Sequence, residues 1–182
     1  MSEAAESVAL SADCAACSGL CCVSAPFDAD QGFGYDKPAH EPCRHLQAGF
    51  RCGIYADRAA QGFAGCSGYD CLGAGQRTTR AFAPDTWQSA PGRAAAVHEA
   101  FMRVRALHEL LALLATARRL VHDDSCDARL VAQQRRVNAQ CELILAGAQA
   151  GSEHGIERGM REQVLGLLRE LATTPGIIAR RP

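Results

Sequence analysis

The stretch DCAACSGLCCVSAPF, residues 13–27, places four cysteines within nine positions: Cys14, Cys17, Cys21 and Cys22. Four more, Cys43, Cys52, Cys66 and Cys71, follow before the midpoint of the chain. Thiols at this density serve disulfides, a metal or iron–sulfur site, or redox chemistry. From Asp13 to about Pro91 the surrounding sequence is broken into short pieces rich in Gly, Pro and aromatic residues. Examples are QGFGYDKPAHEPC (31–43), GFRCGIY (49–55) and QGFAGCSGYDCLGAGQ (61–76). Neither helical nor strand periodicity persists there. Such a segment has few ways to bury enough apolar surface by itself, so cross-linking through the cysteines is expected to hold it together.

After Pro91-Gly92 the pattern changes. Val97, Phe101, Val104, Leu107, Leu111 and Leu114 recur at spacings of three and four, the mark of an amphipathic helix. HDDSCD (122–127) interrupts it and offers Asp and Ser as caps for a second helix carrying Leu130, Val137, Cys141, Ile144 and Leu145. Gly147 and Gly151 punctuate its end. A third helix begins at about Ile156, presents Met160, Val164, Leu167, Leu168 and Leu171, and stops before Pro175. Short connections imply antiparallel neighbours. The sequence therefore predicts an α-rich protein with a flexible tail over 1–12. A small, irregular, metal-organised cysteine-rich lobe follows over 13–91, and a bundle of about three helices over 92–182.

Bulk properties narrow the function. The 182 residues, 48% hydrophobic with a net charge of −1, fit a globular protein of one good-sized domain or two small ones. No apolar run approaches the roughly 18 residues of a membrane helix, so no membrane partner is expected. The opening MSEAAESVALSADC carries Glu3 and Glu6 and no basic residue, which predicts no secretory leader and a cytoplasmic location. Residues 1–71 hold nine acids against four bases, and 72–182 eleven acids against fifteen bases. The arginines alternate with apolar residues and form no stripe, so no nucleic-acid partner is expected either. Lys37 is the single lysine of an Arg- and Ala-rich chain, a bias that reads as composition more than function.

In a reducing compartment a dense thiol pattern more often binds metal than forms a disulfide framework, although disulfides stay open if the compartment differs. Thiolates are soft ligands, and four of them suit zinc or an iron–sulfur cluster. The spacing of Cys14 and Cys17 lets the chain curl so that both sulfurs reach one centre. Cys21 and Cys22 are adjacent and do not easily face the same ion. One of the pair serves a second site or stays free. Eight sulfurs suffice for two four-thiolate centres, but the spacing leaves open both the partition and the choice of zinc or iron–sulfur. His40 and His45 flank Cys43 and could replace a sulfur, with surface or supporting roles favoured. Cys141 falls on an apolar helix face as a small hydrophobe, and Cys126 in a loop. Neither is a ligand candidate.

Other motifs are thinner. The C-x-x-C of Cys14 and Cys17 lacks the strand–helix context of thioredoxin-like chemistry. GAGQR (73–77) reads as chain punctuation and not as a phosphate loop. His108-Glu109 reads as a helix-flank pair. No nucleophile–base or paired-carboxylate arrangement can be assembled, so no catalytic residue is assigned and a non-enzyme is favoured.

The order C-x2-C-x3-C-C, followed by PCRHL (42–46), FRCGIYADR (50–58) and GFAGCSGYDC (62–71), resembles the bacterial zinc- or iron-chelating cysteine-cluster domains. That resemblance implies a metal-binding set of Cys14, Cys17, Cys21, Cys22, Cys43, Cys52, Cys66 and Cys71. Over nearly its whole length the chain is also similar to the N-terminal region of actinobacterial pentapeptide-repeat proteins. The likeness runs through CCVSAPF, FGYDKPAHEPCRHL, YDCLGAGQR, FMRVRALHELLALL and RRVNAQCELILAGAQ. In those proteins the region precedes a right-handed repeat helix. Repeats of the A-[DN]-L-x-x kind are absent after residue 150, so a role such as DNA mimicry does not carry over.

The expectation is a cytoplasmic metal-binding protein with zinc or an iron–sulfur centre in its cysteine cluster and a helical lobe serving as scaffold or protein-partner surface. The alternatives are an iron–sulfur redox enzyme or enzyme accessory, and a thiol-based sensor with Cys21 or Cys22 uncoordinated.

Overall fold

A computed structural model describes residues 8–147 and 154–175. The protein is helix-rich, with α1 at Leu20–Ser24, α2 at Ala64–Gly68, α3 at Ala74–Phe82, α4 at Ala94–Leu120, α5 at Asp124–Leu145 and α6 at His154–Thr173. Among the described residues, β-pairing outside named strands amounts to two isolated bridges, Phe27 with Lys37 and Leu46 with Cys52. The chain divides into two compact units, Ser11–Arg105 and a second made of the residues on either side of it. The sequence pattern changes near Pro91, whereas the division falls inside α4.

Ser11–Arg105 is irregular for the reason its composition suggests, and its polar backbone is satisfied locally. The bridge between Phe27 and Lys37 carries both hydrogen bonds, at 3.0 and 2.8 Å. Lys37, which looked like a compositional residue, is 3% exposed. Its ammonium donates to the carbonyls of Val23 at 3.2 Å, Pro38 at 2.9 Å and Glu41 at 2.8 Å, one for each of its three protons. One side chain thus ties α1 to the segment 37–41. Around it Phe27 stacks on Phe33 at a centroid distance of 4.9 Å and meets Tyr35 edge-on at 5.3 Å. Gly19 enters α1 in the left-handed region at φ 71°, and a Cβ there would stand 2.9 Å from Leu46 Cδ1. Only glycine fits both demands. The buried Ser24 of α1 hydrogen-bonds His98 Nδ1 on α4 at 2.9 Å, and Trp87 Nε1 donates to the Ser18 carbonyl at 2.8 Å.

GAGQR is more than punctuation. Gly73, at φ 81°, is the N-cap of α3, and the residues after it begin that helix.

In the second unit the apolar periodicity becomes the core. Leu107, Leu111 and Leu114 of α4, Leu130, Val137, Cys141 and Ile144 of α5, and Val164, Leu167 and Leu171 of α6 are buried. Leu145, Met160 and Leu168 are half-buried. α5 starts where the capping signal stood: the Asp123 carboxylate accepts from the Cys126 amide at 2.8 Å. Cys126, expected in a loop, therefore lies in the first turn of α5, at 6% exposure. His108 is fully buried instead of lying on a helix flank. Arg129 and Glu170 join α5 to α6 through two hydrogen bonds of 2.7 and 2.8 Å, and Arg118 holds Asp127 at 2.7 and 3.1 Å. These exposed pairs contribute little individually. Gly151, residues 1–7 of the expected tail and the last residues of the expected bundle lie outside the described residues.

Two outcomes follow from these contacts. Lys37→Met leaves buried carbonyls without a donor and should lower the unfolding free energy of the chain by about 1–3 kcal/mol in chemical denaturation. A variant as stable as the parent would show that the lysine ties nothing. For the helical unit, the Ser125 hydroxyl and the Cys126 amide hold the Asp123 carboxyl down to about 2. A depressed carboxyl stabilises the fold above its ordinary value of about 4, and that stabilisation disappears as pH falls through about 2. Asp123→Asn keeps a capping oxygen without the charge. Its melting temperature should lie below the parent's above pH 4 and converge with it near pH 2.

Candidate metal centre

All eight cysteines of the sequence-derived set line one cavity of about 400 Å³ in Ser11–Arg105. A water molecule needs only about 10–15 Å³ of such space, so the cavity is roughly thirty times larger than a single water requires. Phe27, Phe33, Phe50, Ile54 and Phe63 supply apolar wall between the sulfurs. All ten cysteines of the chain are free thiols, and Cys43 and Cys71 are buried. Cys126 and Cys141 belong to α5 and are not among its lining residues.

Local structure explains how residues so far apart in sequence converge. Asp13 accepts from the Ala15 amide at 2.9 Å and opens a single 3-10 turn, Cys14–Ala16. That turn packs on α3. The Asp13 amide donates to Gln76 Oε1 at 3.2 Å, and the Ser18 amide to Thr79 Oγ1 at 3.0 Å. Cys71 lies three residues before Ala74, where α3 begins, so the docking brings Cys14 and Cys17 to it. Gly75 permits the approach: a Cβ there would stand 2.7 Å from Cys17 Sγ and 3.5 Å from Cys71 Sγ. Adjacent on α1, Cys21 and Cys22 have sulfurs 3.9 Å apart. The Cys43 amide donates to the Cys22 carbonyl at 2.8 Å, and the bridge of Leu46 with Cys52 folds the next thiol back beside it. Cys66 lies on α2 and packs with Cys22 and Ile54 against the cluster of Phe27, Cys43 and Phe63.

The electrostatics suit a cationic occupant. Burial raises the Cys14 thiol, and its neighbours Cys21, Cys17 and Cys71 raise it further. Burial raises Cys17, against the amides of Leu20 and Gly19 that oppose the shift. Cys21 is raised chiefly by its hydrogen bond with Cys22 and then by burial. Burial, with Cys43 and Cys21 close by, pushes Cys66 up to about 11. Crowded thiols cannot all ionise unless positive charge enters among them, and a coordinated metal reverses the logic by taking the proton's place. Arg51 and Arg58 stand in the same lining. Arg51 donates to the carbonyls of Cys14 and Ala15, and Arg58 Nη1 to the Cys66 carbonyl at 3.2 Å. Arg58 Nε and the Tyr69 hydroxyl are buried polar atoms without a hydrogen-bond partner among the described residues.

The histidines divide. His45 lines the cavity, its ring edge-on to Phe63 at 4.9 Å and its Nε2 accepting from Arg44 Nε at 3.3 Å. His40 takes φ 67° and lies 5.1 Å from the His98 ring. Among the described residues no group of three or more His, Cys, Asp or Glu side chains is arranged to hold a metal ion. The sulfurs ring a space and do not converge on a point. Arg51, Arg58, Tyr69 and Gly75 escaped sequence reading because an isolated Arg, Tyr or helical Gly carries no signal without its neighbours in space.

The chain is similar to a protein of Bacillus subtilis (strain 168) named "Uncharacterized protein YybG", 41% identical over 103 residues. The match covers 56% of this chain and 37% of the relative's length, so the chain spans little more than a third of that protein. No family model matches the chain, and no solved structure does. No helix among the described residues is long and apolar enough to cross a membrane.

Gly75 tests the packing of this site. In an ordinary helix Gly→Ala adds about 0.5–1 kcal/mol of stability. Here the new methyl meets two sulfurs, and overpacking costs about 1–3 kcal/mol. Gly75→Ala should therefore lower the denaturation midpoint. A raised midpoint would mean that the sulfurs have room to move.

Proposed function

We propose that this protein binds an iron–sulfur centre in the eight-thiol cavity of Ser11–Arg105, and that it works in the cytoplasm. The observation that carries the reading is the cavity itself, about 400 Å³ of space that side chains leave empty between cysteines. A lone zinc ion holds four thiolates at about 2.3 Å, so its sulfurs crowd to roughly 3.8 Å from one another. An inorganic cluster instead offers each thiolate a separate iron, and its own bulk fills the middle. Cys21 and Cys22 stand at the zinc spacing, 3.9 Å, but among the described residues no group of three or more ligand side chains gathers at it. A ring of thiols around a void suits the second arrangement. Arg51 and Arg58 would offset the negative charge of the thiolate-bound cluster, and the Tyr69 hydroxyl and Arg58 Nε would donate towards its sulfides. The resemblance to zinc- or iron-chelating cysteine-cluster domains fits metal binding and leaves zinc or iron open. Bound, such a centre supplies one-electron chemistry and cross-links the loops.

A thiol sensor with Cys21 or Cys22 uncoordinated needs a reactive thiolate of low pKa; for Cys21 the shift runs the other way, first through its hydrogen bond with Cys22. The helical unit acts in this reading as scaffold. Its exposed Leu113, Leu120 and Leu143 amount to the ordinary apolar exposure of a protein surface.

Anaerobic purification followed by elemental analysis and a visible spectrum tests the proposal. A brown protein containing iron and acid-labile sulfide is the expected result. Zinc without a visible band would replace the cluster by a structural ion, and a metal-free protein that takes up neither would overturn metal binding altogether.

A further inference from the structure

We infer that the eight thiols form two four-sulfur sites sharing α1 as a common wall, one of Cys14, Cys17, Cys21 and Cys71 and the other of Cys22, Cys43, Cys52 and Cys66. The inference rests on the metal reading above and goes beyond it in the number and membership of the centres.

Two separate pieces of local architecture carry the partition. The first quartet is built from the turn at Cys14 docked on α3. The hydrogen bonds of Asp13 to Gln76 and of Ser18 to Thr79 fix that docking on both sides of Cys14 and Cys17. The sulfurs of Cys17 and Cys71 lie within 3.5 Å of the position a Cβ on Gly75 would take. Cys21 comes from the start of α1, one turn after Cys17.

The second quartet is built around the aromatic cluster. Cys22, Cys43 and Cys66 pack against or belong to the cluster of Phe27 and Phe63. The Cys43 amide is held on the Cys22 carbonyl at 2.8 Å, and the Leu46 amide on the Cys43 carbonyl at 2.9 Å. Leu46 in turn bridges Cys52, so the backbone delivers Cys22, Cys43 and Cys52 as one assembly.

Cys21 and Cys22 form the seam. Neighbours on a helix are rotated by about 100° from one another, since 3.6 residues make a turn, so two adjacent side chains serve adjoining centres more readily than one. With sulfurs 3.9 Å apart, each would ligate on its own side of α1. Two centres so placed are close neighbours, near enough to interact magnetically.

The full chain, reconstituted anaerobically with ferrous iron and sulfide, decides it. At four irons for each four-cysteine cluster, the parent should bind about eight irons. Cys71→Ser and Cys43→Ser should each retain about half, and the double variant almost none; a double variant that still retains half would place both thiols in one centre and overturn the partition. The dithionite-reduced parent should show the paramagnetic resonance of two interacting centres, which keeps the test decisive if a variant fails to fold. A parent that binds about four irons and shows one isolated signal overturns the partition and leaves the iron–sulfur reading standing. An iron-free chain that takes up two zinc ions, with one lost in each single variant and both in the double variant, keeps the partition and overturns the iron–sulfur reading. A chain that binds neither iron nor zinc overturns both.

Discussion

Sulfurs that share an unfilled space resist becoming thiolates together, and the eight thiols that line the cavity of Ser11–Arg105 share such a space. Cys14, Cys17, Cys21 and Cys66 are all shifted towards the protonated form, by burial, by the neighbouring thiols and, for Cys21, first by its hydrogen bond with Cys22. The backbone amides of Leu20 and Gly19 work against the shift at Cys17, as donors do when they await a negative sulfur. Arg51 and Arg58 bring positive charge into the lining while donating to the carbonyls of the residues that carry the thiols. Binding of the proposed centre would be linked to protonation, because each thiol that coordinated it would first release its proton.

The surrounding loops reach the same space by satisfying their own backbone. Lys37 is the clearest case, a buried ammonium whose three protons go to three carbonyls while its backbone pairs with Phe27. Burial lowers its pKa, and the thiols of Cys43 and Cys22 raise it, so the lysine is tied to the cysteines electrostatically as well as through the chain. Where a regular element would use a ladder of hydrogen bonds, this unit uses caps, single bridges and one side chain. The helical unit solves the ordinary problem. Its apolar stripes bury one another, and its termini are closed by a carboxylate at Asp123 and a left-handed glycine at Gly147.

What could be read from the sequence alone was whatever has a period or a rare chemistry. Val97, Phe101, Leu107 and Leu114 announce α4 because a helix repeats every 3.6 residues and burial selects for that period. Asp123 announces α5 because a cap is local chemistry. The eight cysteines stand out as one set because thiols are scarce and have few uses, and they do line one cavity. Tertiary structure alone decided which of them are neighbours: Cys71 meets Cys17 across some fifty intervening residues only because Ser18 and Asp13 dock on α3 and Gly75 lacks a side chain. It also decided that the one lysine is buried, that Cys126 starts a helix and that GAGQR begins α3. The physical reason is common to all of these. Spacing along a chain constrains distance only over a turn or two, whereas the environment of a charge, a thiol or a glycine is set by residues that arrive from elsewhere in the sequence.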